Sequence, residues 1–205
     1  MRPVFQFKCA FVGVLAAALA LASVAADAQQ KAPRIRGEIE NVSGSTITVK
    51  TPDGKTVPVK LDDGYRVTHA VKASLSDIKP GDFVGSGAYP EGNEWKAAEV
   101  HIFPKGSRPG EGHRTWSSDP SGTMTNADVG AVVTGAGKNQ LTLTTAGRSF
   151  KINVPPTAPV VRFEKGSPAL VKKGAWVGIS RAQKVNGKLT AKAITVSDDR
   201  RYPVN

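Results

Sequence analysis

The feature that most constrains the fold is an alternation of apolar and polar residues that occurs twice, at an offset of 93–94 residues. Each copy contains two alternating runs joined by a short turn, a Gly-containing segment and a final alternating run. One offset held across successive blocks predicts an internal duplication. The matched segments are 42–61 with 136–154, 78–87 with 171–180, and 95–102 with 189–196.

Alternation with a period of two residues is typical of strands that bury one face. Asp53-Gly54 and Ala146-Gly147 interrupt the alternation and predict hairpins. Helix is limited to single turns within 72–78 and 167–173. Because closing a sheet removes its exposed edges, the sequence predicts an all-β chain of two tandem OB-like or similar small β-barrels, joined by a long ordered loop. A pair of open, stacked sheets is the alternative.

The N-terminal residues have the pattern of a secretory signal peptide. A short basic start precedes an apolar run, and Ala26-Asp27-Ala28 provides a cleavage site. The single cysteine, Cys9, lies in that run, so the mature chain has no disulfide or thiolate. No later stretch approaches the length of a membrane span. The predicted division is 1–28 signal peptide, 31–102 first β-unit, 103–125 connecting loop, 126–198 second, basic β-unit, and 199–205 C-terminal tail.

The net charge of +11 is distributed unevenly. Residues 31–102 contain ten basic and ten acidic residues, whereas residues 126–205 contain thirteen basic and four acidic ones. For an exported protein this predicts an anionic lipid surface, an acidic polysaccharide or another polyanion as partner. A solvated surface that serves only solubility is the alternative. The predicted anion-binding residues are Lys165, Lys172, Lys173, Arg181, Lys184, Lys188 and Lys192.

The unrepeated connecting loop contains the most chemically varied residues. His113 has the chemistry of a ligand or a general base, with Glu111 as its orienting carboxylate. Trp116 is either a stacking platform beside arginines or an anchor that pins the loop onto a barrel. The predicted ligand-binding residues of the loop are Arg108, Glu111, His113, Arg114 and Trp116.

No motif in the sequence specifies catalysis or a cofactor. A zinc site needs three or four ligands, so metal binding would require His113 to converge with His69 or His101. The alternation places His69 and His101 on solvated strand faces, and it places Trp95 and Trp176 in a core. Since the aromatic residues of the basic unit are predicted to be buried, the pattern does not favour specific nucleic-acid recognition.

The chain resembles an uncharacterised family of bacterial envelope proteins, a domain of unknown function built from such β-units. The resemblance lies in "G-x-I…S-T-I-T-V" (37–49), "I-K-P-G-D-F-V" (78–84), the terminal "A-x-x-V" (97–100) and the middle stretch 101–129. It covers nearly the whole mature chain. It implies a β-unit fold and an envelope location, with no established activity.

Three functions follow as hypotheses. The first is a non-enzymatic periplasmic or envelope-associated module that binds an anionic envelope component and needs no cofactor. The second is a metal-binding protein that uses His113. The third is a structural module for oligomerisation, or for contact with a protein partner, in an envelope assembly.

Overall fold

A computed structural model describes residues 33–135, 139–200 and 202. Over these residues the chain is all-β, and its only helical pieces are 3-10 turns at Leu75–Asp77 and Pro168–Leu170. Both turns lie within the segments predicted to form them. The predicted signal peptide, residues 1–28, lies outside the described residues.

The described strands are mostly short, and several consecutive strands are joined by tight turns. The first five are β1 (Ile35–Ser43), β2 (Thr46–Lys50), β3 (Thr56–Ala73), β4 (Phe83–Glu91) and β5 (Glu94–Ile102). The others are β6 (Gly112–Thr115), β7 (Thr123–Val133), β8 (Gln140–Thr145), β9 (Arg148–Asn153), β10 (Val160–Lys165), β11 (Trp176–Ile179), β12 (Gln183–Val185) and β13 (Lys188–Ser197). Both predicted hairpins are confirmed, as β2–β3 and β8–β9.

A first closed barrel consists of β1, β2, β3, β13 and β11, in that order around the ring. Neighbouring strands are antiparallel except β3 and β13, which run parallel. Strand β11 closes the ring because it pairs with β13 on one side and with β1 on the other, where Ile179 lies opposite Ile35. Ile39, Val59 and Val177 are fully buried in its interior.

A second closed barrel consists of β5, β4, β7, β8 and β9. Its ring closes where β5 and β9 run parallel, with Trp95 opposite Ile152. This is the same order of antiparallel and parallel neighbours as in the first barrel. Its interior is a separate apolar cluster that includes Val84, Leu141 and Leu143, all fully buried.

Each barrel takes strands from both halves of the chain. The first combines β1–β3 with β11 and β13, and the second combines β4 and β5 with β7–β9. The predicted all-β class and closed small barrels are confirmed, but the segments 31–102 and 126–198 are not themselves the barrels. Because 78–102 and 171–196 have the same apolar pattern, the local pattern does not specify which ring each segment completes. The internal duplication stays a prediction.

Strands β3 and β10 join the two barrels into one continuous sheet. They pair antiparallel from Thr68–Lys165 to Ala73–Val160, and β10 pairs on its other side with β5. A third apolar cluster is buried at this junction. It contains Ala70, Val161 and Phe163, with Phe103, Trp176 and Tyr202 packed against it.

Candidate functional site

The connecting loop is packed against the second barrel. Its strand β6 pairs antiparallel with β7. Trp116 follows β6 and is only 7% exposed; its indole lies over Gly87 and edge-on to Tyr89 at 6.0 Å. A Cβ at Gly87 would lie 2.6 Å from the indole, so the missing side chain provides the space that Trp116 fills. This location agrees with Trp116 as an anchor and leaves no open indole face for stacking a ligand.

Arg108 is held by two carboxylates, Asp128 of β7 and Glu111 of the connecting loop. Its guanidinium donates to Asp128 at 2.7 and 2.8 Å and to Glu111 at 2.9 and 3.1 Å. The same group lies 4.4 Å above the centre of the Phe83 ring. These hydrogen bonds raise the pKa of Arg108 and lower the pKa of Asp128. Arg108 and Glu111 therefore hold each other in place, and Glu111 does not orient His113.

His113 lies in an aromatic site against the apolar cluster of the second barrel. Its ring stacks on Phe150 with the centroids 4.2 Å apart, and Trp95 lies edge-on at 5.0 Å. Its Nδ1 is 2.8 Å from the hydroxyl of Thr125. Burial, followed by the charge of Arg148, lowers the pKa of His113. The surroundings thus favour a neutral, packed imidazole.

This environment predicts a pH-dependent contribution to stability. The pKa of His113 in the folded protein lies below its ordinary value of 6.5. At pH values around and below 6.5 the unfolded chain therefore binds more protons than the folded chain, and the stability of the fold decreases as the pH drops through this range. We expect His113→Phe to lose less stability between pH 7.5 and 5.5 than the unchanged protein in urea unfolding at both pH values. An NMR titration that places the pKa of His113 above 6.5 would contradict this expectation.

The three histidines lie in different environments. His69 is 3.7 Å from the carboxylate of Asp198 on the first barrel, whereas His113 packs among aromatic rings of the second. His101 lies at the junction between the barrels. Within the described ranges, no three His, Cys, Asp or Glu residues lie close enough together to hold a metal ion. The structure does not bring together the residues on which the metal-binding hypothesis depends.

The prediction that His101 faces solvent is wrong. It is 2% exposed and packs against Phe163 at 5.0 Å, while its Nε2 lies 3.3 Å from the carboxylate of Glu99. Nε2 has no hydrogen bond of good geometry to any described atom. The alternation correctly separates Glu99 and His101 from Val100 in the barrel interior. The second face of β5 is buried here because side chains of the junction cluster, among them Phe163 and Phe103, pack against it, which the local pattern cannot reveal.

The prediction that Trp95 and Trp176 lie in a core agrees with the structure for Trp95 and is wrong for Trp176. Trp95 is half-buried and packs against the apolar cluster inside the second barrel, whereas Trp176 is half-buried on the outside of the first barrel. Trp95 packs against His113, and Trp176 packs against the junction cluster. The fully packed tryptophan is Trp116, for which the sequence left the alternatives open.

The seven predicted anion-binding residues are exposed but lie in three places. Four of them, from Arg181 to Lys192, surround the β12–β13 hairpin of the first barrel. Lys172 and Lys173 follow the second 3-10 turn, where Lys172 lies 3.8 Å from Asp198. Lys165, at the end of β10, lies in a cleft beside the connecting loop.

Residues of the N-terminal half extend the group around the hairpin. In the parallel β3–β13 pairing, Lys60 lies opposite Thr190 and Arg66 opposite Ala193. Across the described residues, none of the six cations has an ion pair within 4.0 Å. We call these residues the basic patch: Lys60, Arg66, Arg181, Lys184, Lys188 and Lys192.

The cleft that contains Lys165 has a volume of about 600 Å³ and lies between β4, the start of the connecting loop and β10. Phe83, Phe103 and Phe163 line it, together with the cations Lys105, Arg108, Arg162 and Lys165. Sequence reasoning identified Arg108 and Lys165 but treated them as members of separate sites. A positive residue lies within two positions of Phe103 and of Phe163, but this was not a sufficient signal, because the segments that line the cleft meet only in the tertiary structure.

Comparisons with protein-family models, with curated proteins and with solved structures found no significant match. Among the described residues, no helix has both the length and the apolar character needed to cross a membrane. The functional argument therefore depends on the geometry and the charge of the chain itself.

Proposed function

We propose that the protein is an exported, envelope-associated binding module that performs no catalysis and engages an anionic envelope component through the first barrel. The pattern of residues 1–28 and the resemblance to bacterial envelope proteins support export to the periplasm. The observation that carries the proposal is the concentration of positive charge on one barrel.

Because each barrel takes strands from both halves of the chain, the arrangement of the strands determines where the positive charge lies. Residues 33–73 and 166–200, which supply the first barrel, contain fourteen Lys and Arg against seven Asp and Glu. Residues 74–165, which supply the second barrel and β10, contain ten against nine. Because the basic segment 171–196 joins the N-terminal strands, the field of the molecule is positive on one barrel and nearly balanced on the other.

The basic patch is suited to a flexible or extended polyanion. Its six cations are exposed on neighbouring strands and on the β12–β13 hairpin, with Asp62 and Asp63 as the acidic residues between Lys60 and Arg66. Exposed cations of this kind bind through long-range attraction that salt screens over about 10 Å at 0.1 M ionic strength. The chemistry supports recognition of repeated negative charge, as in an acidic polysaccharide or an anionic lipid surface.

Neutralising the hairpin cations tests the proposal. We expect the chain without residues 1–28 to bind heparin or vesicles with phosphatidylglycerol at 50 mM salt, and to lose binding at 500 mM. Replacing Arg181, Lys184, Lys188 and Lys192 together by Gln should weaken binding at low salt about 10-fold or more, since each exposed pair contributes roughly 0.2–1 kcal/mol. Calorimetry gives the affinities for heparin and for the vesicles, and their comparison shows whether the protein prefers a polysaccharide or a lipid surface.

A matched variant makes the test specific to the first barrel. It replaces four cations of the second barrel by Gln: Lys79, Lys96, Arg148 and Lys151. We expect a change in affinity of no more than about 3-fold, because the charge of that barrel is nearly balanced. Equal losses in both variants, or binding that does not respond to salt, would contradict the proposal. No polyanion binding, together with oligomers in light scattering, would favour the structural alternative.

A further inference from the structure

The cleft beside the connecting loop lies outside the basic patch and has a different chemistry. Its floor contains three phenylalanine rings in contact with one another. Phe103 lies 5.7 Å from Phe83 and 5.6 Å from Phe163, centroid to centroid. Phe83 and Phe163 are buried, whereas Phe103 is half-exposed. A ligand in the cleft would therefore contact the Phe103 ring and lie over an apolar base.

Arg108 gives the cleft a second flat surface. Four hydrogen bonds to Asp128 and Glu111 fix the guanidinium, and one of its faces covers Phe83. The side chain is still 43% exposed and lines the cleft. A guanidinium held in this way has its charge compensated by the two carboxylates, but its planar face remains able to stack on an unsaturated group.

Three further cations of the cleft are available to a ligand. Lys105, Arg162 and Lys165 form no ion pair or hydrogen bond with any side chain in the described ranges. The cleft also contains the carboxylates of Asp82 and Glu164. Asp82 accepts the backbone N–H of Lys79 at 2.8 Å, which stabilises its charge within the fold. Together with Asp128 and Glu111, which hold Arg108, these carboxylates equal the four cations in number. The preference for a negatively charged ligand therefore depends on Lys105, Arg162 and Lys165, which have no side-chain partner among the described residues.

We propose that this cleft is a binding site for a small anion with a flat, unsaturated body, of the class of aromatic carboxylates. The flat body would lie against Phe103 and the face of Arg108, and the carboxylate would approach Lys105 and Lys165. The volume of about 600 Å³ lies within the range of roughly 300–1,000 Å³ that is usual for sites of small organic ligands. The site does not depend on the polyanion binding proposed above.

Three probes that share a naphthalene ring and carry a negative, a neutral or a positive group test the ligand class: 2-naphthoate, 2-naphthalenemethanol and 2-naphthylmethylammonium. We expect titration calorimetry on the chain without residues 1–28 to show naphthoate binding about 10-fold tighter than the neutral alcohol, and the ammonium compound binding weakest. Equal affinities, tighter binding of the ammonium compound, or no naphthoate binding at 5 mM would overturn the proposal.

Variants then locate the site. Lys105→Gln together with Lys165→Gln should remove the difference between naphthoate and the alcohol and leave the affinity for the alcohol unchanged. Phe103→Ala should weaken both probes, and its thermal transition shows whether the fold persists. The hairpin variant with Gln at Arg181, Lys184, Lys188 and Lys192 should bind naphthoate as the unchanged protein does. A failure of the polyanion proposal is therefore distinguishable from a failure of the cleft proposal. Naphthoate binding that Lys105→Gln/Lys165→Gln leaves unchanged would place the ligand elsewhere and overturn the proposal.

Discussion

Separated halves of the protein are expected not to fold alone and to fold when they are mixed. A cut between Ser117 and Ser118, both exposed in the connecting loop, gives fragments 29–117 and 118–205. The first contains β1–β6 and the second contains β7–β13. Because each ring requires strands from both fragments, neither fragment can close a barrel in the arrangement of the intact chain.

The apolar burial lost in a single fragment is comparable to the stability of a whole domain. Without β11 and β13, the first barrel loses Val177, Ile179, Ile194 and Val196, each at most 3% exposed. At about 1.5–3 kcal/mol for each buried aliphatic side chain, the loss is roughly 6–12 kcal/mol, whereas a domain is typically stable by about 5–15 kcal/mol. We therefore expect each fragment alone to lack a cooperative thermal transition.

Mixing the fragments at equal concentration should restore the near-ultraviolet circular dichroism and a cooperative transition. The control is the intact chain with a protease site inserted at the same place and cut after folding. Its transition should persist, since the inserted residues lie outside every strand. The result that would contradict the arrangement is protected amides and cooperative unfolding in either isolated fragment, because one half would then form a barrel by itself.

The second large effect is expected at Gly37 in β1. A Cβ at this position would lie 2.1 Å from the carbonyl oxygen of Lys50 and 2.7 Å from its carbon. These are backbone atoms of β2, and the neighbouring residue, Glu38, is the one paired with Lys50. The clash cannot be relieved by turning a side chain, so Gly37→Ala should separate the two strands locally. We expect a loss of about 3 kcal/mol or more in the free energy of unfolding.

Gly130 in β7 provides the matched control. Its substitution by Ala places the new Cβ 3.3 Å from the hydroxyl oxygen of Thr144, with no backbone atom closer than 3.7 Å. Because a threonine side chain can shift, Gly130→Ala should cost less than about 1 kcal/mol. Urea unfolding of both variants gives the comparison. If both variants lost the same free energy of unfolding, the close approach of β1 to β2 would not be the cause of the loss in Gly37→Ala.

Much of the local structure followed from the sequence because it depends on neighbouring residues. The alternation on each side of Asp53-Gly54 and Ala146-Gly147 predicted hairpins, and hairpins form there. The same alternation placed Val100 inside a barrel, where it is fully buried. An apolar face with a period of two residues must be covered, and closing the sheet is a direct way to cover it.

The candidate sites depend on contacts that the alternation does not specify. Trp116 is buried because Gly87, far away in the sequence, has no side chain. His101 is buried because the rings of Phe103 and Phe163 pack against it. In both cases the local pattern describes one side of a strand, while the environment of the other side is set by a distant segment.

The sequence by itself determined that this chain is all-β, that its strands close into small barrels and that its positive charge is concentrated in the C-terminal half. The tertiary structure decided which strands share a barrel, and so where that charge lies and which residues meet in the cleft. The physical reason is that segments 78–102 and 171–196 present equivalent apolar faces. Because the local pattern is the same in both segments, it does not specify which ring each completes, and the arrangement is defined by long-range pairings, among them β11 with β1 and β5 with β9.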